Sequence, residues 1–184
     1  VSILIVLTVM NSVNACAPVM LGAGGVTAGV VGLQERTVGE AVDDTVIWSR
    51  VKNLYIQNDV NELATRVSVE VTQGRVLLTG TVPNPDARVE AVRLAWQVRG
   101  VTHVINEIQI SNQTLKSRAQ DAWITTQVKS KLLLNQDIES VNYSIDTVNM
   151  VVYLMGIAQN EAELKQATNI ASTIKGVKRV VSHV

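Results

Sequence analysis

The chain has 184 residues, 47% of them apolar and 17% charged, which is enough apolar material to bury a core and too much for a disordered tail. Sixteen basic residues balance sixteen acidic ones, so a nucleic-acid binder relying on a strongly basic surface is excluded as a first reading. One cysteine and two histidines leave no internal disulfide and no thiolate or His-rich metal site, and without Phe the interior falls to Val, Ile, Leu and Ala, so the three Trp residues stand out.

The first ten residues form an apolar run too short to span a bilayer as a helix but of the length of a signal-peptide core. Val13-Asn14-Ala15-Cys16-Ala17 follows, and it resembles the lipobox of bacterial lipoprotein signals. That resemblance implies a signal peptide over 1–15, a covalent lipid anchor on Cys16 and, with Ala17 rather than Asp after the cysteine, the periplasmic face of the outer membrane. The other reading of Cys16 is an unmodified thiol buried on an apolar helix. Several acyl chains, each CH₂ contributing about 0.8 kcal/mol, would hold such a protein at the membrane. Residues 16–43 are glycine-rich and carry few charges, as a flexible tether does; a short helix over 26–33 is the alternative.

Shifting the chain by 76 residues pairs Gly80 with Gly156, Asn84 with Asn160, Ala91 with Ala167, Gly100 with Gly176 and Val104 with Val180. A shift one residue longer pairs Asp44 with Asp121, Ile47 with Ile124 and Lys52 with Lys129. Two copies therefore occupy 44–110 and 121–184, joined by a polar linker over 111–120. In each, Asp44 or Asp121 is placed to cap a helix whose apolar stripe is Ile47, Val51 and Tyr55, or Ile124, Val128 and Leu132. Alternating Val67–Val71 and the strand Arg75–Val82 flank Gln73-Gly74 as a hairpin, repeated by Tyr143–Thr147 and Met150–Met155 with Asn149 near the turn. A second helix runs from Asp86 to Arg99 and from Glu161 to Lys175, stopped by Gly100 and Gly176 in the left-handed region. Last strands span Val101–Ile110 and Val177–Val184, parallel to their predecessors because a helix crosses over between them.

The αββαβ order, the glycine ending the second strand, and the pattern apolar-x-Gly-Val-x-x-Val at Val98–Val104 and Ile174–Val180 resemble the BON domain. The predicted fold is thus α+β: two tandem αββαβ BON domains, each a small three-stranded mixed sheet packed on two helices. Two copies behind a lipobox-like cysteine resemble the dual-domain outer-membrane lipoproteins of that family. The resemblance implies phospholipid binding in the periplasm, support of outer-membrane integrity and enrichment at division sites.

Positions apolar in both copies are expected in the core, and positions apolar in only one are expected to face something else. Val89, Val92 and Trp96 match Lys165, Thr168 and Ser172, so they either widen the first core or form an interdomain contact. In the other direction Trp123, Ser130 and Leu134 match Val46, Asn53 and Gln57, with Lys116, Arg118, Lys129 and Lys131 nearby. Trp beside lysines suits an anionic membrane interface, where the indole sits at headgroup level and ammonium groups attract phosphate. The phospholipid-binding residues expected are Trp123, Gln127, Lys129, Ser130, Lys131 and Leu134. A Trp packed under the linker, with the lysines merely solvated, is the alternative; the rival function is a protein-binding adapter or regulator in which Trp123 or the Val89, Val92 and Trp96 patch docks an envelope protein partner and lipid contact is incidental.

No nucleophile motif, phosphate-binding loop or dinucleotide fingerprint accompanies these residues, so neither catalysis nor a cofactor is expected. His103 aligns with Arg179 and His183 with Glu107, and Glu161 with Glu163 reads as a charged first helical turn.

Overall fold

The structure, a computed structural model, describes residues 38–58 and 62–184. Cys16, the signal peptide over 1–15 and most of the tether lie outside the described residues. In the first copy helix α1 (Val38–Gln57) and the short α2 (Leu63–Arg66) precede strands β1 (Val67–Thr72) and β2 (Arg75–Val82). Helix α3 (Pro85–Trp96) then leads to β3 (His103–Asn106) and β4 (Gln109–Ile110). In the second copy α4 (Leu115–Leu133) is followed by β5 (Tyr143–Val148), β6 (Val151–Gly156), α5 (Glu161–Ser172) and β7 (Arg179–His183). The α+β class and the mixed sheets follow as the sequence predicts: β1 and β2 are antiparallel, β2 and β3 parallel, and β5, β6 and β7 repeat that order.

The aspartates do different work from the one the sequence suggests. Both first helices start earlier, α1 by Val38 and α4 at Leu115 within the linker stretch, where the Thr114 side chain accepts from the Ser117 N–H. Asp44 and Asp121 therefore sit inside helices and reach across to the hairpin turns. Asp44 accepts from the backbone N–H groups of Gln73 and Gly74 at 2.8 and 2.9 Å, and Asp121 from Asn149 and Met150 at 2.8 Å each. Those turn residues have φ of 54°, 71°, 50° and 66°, the left-handed pair that matches strand twist in a two-residue hairpin. A carboxylate accepting two successive N–H groups offsets the cost of that backbone at Gln73 and Met150, which are not glycine.

Gly80 and Gly156 close each hairpin opposite Val67 and Tyr143. A Cβ there would stand 2.1 Å from the Arg66 carbonyl oxygen or 2.0 Å from that of Asn142, so only hydrogen fits. Gly100 and Gly176 have the expected positive φ, at 100° and 96°, but not as helix-stopping residues. The second helices end sooner, at Trp96 and Ser172, because their last turns tighten to three-residue bonds such as Val98 N–H to Ala95 and Ile174 N–H to Ala171. Their starts are capped by Asn84 and Asn160, whose side chains accept from Ala87 and Glu163 N–H. The first copy's last strand is broken at Glu107 and Ile108, where the Asn106 side chain accepts the Ile108 N–H at 3.1 Å. Register survives the break, since Leu78 pairs with Asn106 and Thr81 with Gln109.

Each sheet covers a core on its helical face, with Ile47, Val51, Val76 and Leu78 in one copy and Ile124, Val128, Val152 and Leu154 in the other. The opposite faces pack against each other around a third buried cluster of Leu77, Val148, Tyr153 and Met155. The molecule is thus layered helices, sheet, sheet, helices. Equivalent residues meet across the interface: Leu77 and Tyr153 share the cluster, Ile105 and Val181 flank it, and His183 Nε2 lies 3.0 Å from Glu107 Oε1. Self-complementary contacts of this kind are those of a two-fold dimer, here written twice in one chain.

Val89, Val92 and Trp96 are accordingly not the interdomain contact. Val89 and Trp96 are 64% and 52% exposed, and Val92 packs on the first copy's own core. The hairpin geometry explains this, because α3 lies on the helical face of its sheet while the copies join through the bare faces.

Candidate functional site

Helix α4 buries Asp121, Ile124, Val128 and Leu132 as one stripe, which divides its remaining surface into two flanks. Trp123, Gln127, Ser130 and Leu134 follow one another at three- and four-residue spacing on one flank, with Lys116 and Lys131. Trp123 is 49% exposed and Leu134 82%; the neighbouring Leu133 is 70% exposed and was not singled out by the sequence reading. Ser130, Lys129 and Lys131 are exposed and Gln127 is half-buried. The apolar side chains on this flank take no part in any of the three buried clusters.

The other flank faces the first copy. Arg118, Asp121 and Thr125 border a cleft of about 420 Å³ that Arg66, Ser68 and Asp146 close from other elements. Lys129 belongs on this side, since it lies close enough to Glu70 and Asp146 to favour their ionised forms. Burial outweighs it and holds both carboxyl groups above the usual carboxylate range. Asp146 is also hydrogen-bonded by the Thr79 hydroxyl across the interface, and Glu70 by Ser144. Of the residues expected to meet phospholipid, the structure brings together Trp123, Gln127, Ser130, Lys131 and Leu134, and it separates Lys129 from them.

At the corner where Trp123 stands, the second copy differs from the first. The first copy has there an open cleft of about 420 Å³ lined by Asp43, Val46, Arg50, Arg99 and Thr102. The matching residues of the second copy are Gln120, Trp123, Gln127, Lys175 and Lys178. An indole replaces the valine and a neutral amide replaces the acid.

Glu163 is buried, not a surface charge, and accepts from the N–H groups of Glu139 and Gln159 at 3.0 and 2.7 Å. His103 is exposed on the first sheet and His183 bonds Glu107. Among the described residues no group of His, Cys, Asp and Glu could hold a metal ion, and no helix is long and apolar enough to cross a membrane.

Residues 43–112 and 120–184 each match the family described as BON domain. The chain is 35% identical over 170 residues to the outer membrane lipoprotein DolP of Haemophilus influenzae, covering 91% of this chain and 86% of that protein. It is 44% identical over 145 residues to an uncharacterized protein of Anaplasma centrale, covering 78% and 94%. It is also 35% identical over 148 residues to a 21 kDa hemolysin of Actinobacillus pleuropneumoniae, covering 79% and 75%.

Proposed function

Because the chain belongs to the BON-domain family, we propose that it is a lipid-anchored lipoprotein of the outer membrane, facing the periplasm, that binds anionic phospholipid through helix α4 of its second domain. The likeness to an outer-membrane lipoprotein and the lipobox-like Val13–Cys16 support the anchor and the location. The observation that carries the lipid site is the half-exposed Trp123, left out of every core on a flank that also bears Lys116 and Lys131. An indole sinks to the headgroup level while ammonium groups meet phosphate, and neither needs a pocket. The anchor keeps the protein near the bilayer, so a weak surface site suffices to orient it. The action is recruitment, with no covalent step.

Partition of the full chain carrying Cys16→Ser between water and vesicles tests this. Residues 1–34 hold no charged side chain, so their apolar contribution is indifferent to lipid charge. Vesicles of phosphatidylglycerol with phosphatidylcholine should take up more protein than phosphatidylcholine alone, and Trp123→Glu should remove the difference without unfolding the chain. Equal uptake by the two vesicles would instead favour a second reading, an adapter that docks a periplasmic protein. The exposed Val89 and Trp96 on α3, unused by the interdomain contact, are the observation behind it.

A further inference from the structure

We propose that the loop Lys175–Lys178 completes the lipid-facing surface, and that Lys175 and Lys178 rather than Lys129 supply the phosphate-attracting charge beside Trp123. The inference rests on the phospholipid reading above and assigns its cations.

Position comes first. The loop is held against α4: a Cβ at Gly176 would lie 3.5 Å from both Gln120 Nε2 and Ile124 Cδ1. Gln120 also reaches the Met150 sulfur at 3.5 Å, and the Lys178 N–H donates to the Met150 carbonyl at 2.8 Å. Gln120 and Trp123 are three residues apart on α4, so the loop borders the flank that carries the indole. Arg179 pairs with Val151 at the start of β7 and takes the face of Val181, toward the first copy. Alternation then puts Lys178 on the helical side.

Charge agrees with position. Lys175 and Lys178 are exposed and make no ion pair among the described residues. Where the first copy has Asp43, Arg50 and Thr102, the second has Gln120, Gln127 and Lys178, so the corner loses its acid and its helix cation, gains a lysine on the loop, and keeps only loop-borne positive charge. Lys129, in contrast, stands beside the interfacial acids Glu70 and Asp146 on the opposite flank. A bilayer meeting Trp123 therefore meets Lys116, Lys131, Lys175 and Lys178, and Lys129 is turned aside. An anionic leaflet is the surface complementary to an indole flanked by exposed ammonium groups.

The test is vesicle partition of the full Cys16→Ser chain with phosphatidylglycerol-containing and pure phosphatidylcholine vesicles, at low and high salt. Each lysine removed should lower partition onto the anionic vesicles about five-fold, so Lys175→Gln with Lys178→Gln should lose roughly 25-fold and flatten the salt dependence. Lys129→Gln should change it less than about two-fold. A loop double variant that partitions like the parent, or a larger loss from Lys129→Gln than from the loop pair, would overturn the assignment. A parent chain with no preference for anionic vesicles would overturn the phospholipid reading itself, a distinct outcome.

Discussion

Replacing Asp121 by alanine separates two accounts of the same residue. As a helix cap it would be worth about 1 kcal/mol. In the structure it accepts from the N–H groups of Asn149 and Met150 and from the Gln113 side chain, inside a turn whose two residues both have positive φ. Bonds to a charged acceptor contribute about 1.5–3 kcal/mol each, and water replaces part of that at these half-buried positions, so a total near 3 kcal/mol is expected. For a folded region of this size that lowers Tm by about 6 to 12 °C. Differential scanning calorimetry gives the loss, and amide hydrogen exchange locates it. Asn149 and Met150 should lose protection, and Asp121→Asn, which keeps one acceptor oxygen, should recover about half. A fall of no more than about 2 to 4 °C, with Asn149 and Met150 keeping their protection, would refute the turn-bracing role and leave Asp121 worth no more than a cap.

Gly156→Ala forces a Cβ to within 2.0 Å of the Asn142 carbonyl oxygen, so the hairpin must shift and we expect at least about 3 kcal/mol lost in urea unfolding. Leu77→Ala opens the interdomain cluster and should cost about 2–5 kcal/mol, whereas Trp96→Ala on the exposed face of α3 should stay within about 0.5 kcal/mol; comparable losses from the two would contradict the sheet-to-sheet interface. Asp146 is held above the ordinary carboxylate range first by burial, so the folded state prefers its protonated form. Its contribution then falls as pH rises from about 4 through the raised value, and Asp146→Asn, which can still accept from Thr79, should gain on the parent over that window. A stability difference that does not grow with pH there would show that Asp146 carries no such penalty.

Much of this molecule is legible in its residues because it is written twice. The paired glycines, asparagines and apolar stripes mark the hairpins, helix starts and helical-face cores, since each such position satisfies a local demand that both copies share. The sheet-to-sheet interface escaped, because Leu77 and Tyr153 alternate with core residues on strands buried on both faces, and a run such as Val76-Leu77-Leu78 has no period that tells its two faces apart. Asp44 and Asp121 misled for a related reason: an acid before an apolar stripe looks like a cap, while its partner lies about thirty residues away across a turn. The Trp123 flank was visible as an asymmetry between copies, yet the basic loop beside it was not, since only packing of Gly176 on α4 brings Lys175 and Lys178 there. The exchange of Asp43 and Thr102 for Gln120 and Lys178 was the signal that could have found it.

The most direct measurement of the central claim is the fluorescence of Trp123 as the single indole of the full chain, with Trp48 and Trp96 replaced by Tyr, mixed with phosphatidylglycerol vesicles carrying brominated acyl chains. Entry of the half-exposed indole into the interface predicts a blue-shifted emission and quenching that is strongest for bromines near the headgroup. Emission that keeps its wavelength and escapes quenching, while the protein co-sediments with the vesicles, would place the membrane contact elsewhere and contradict the account.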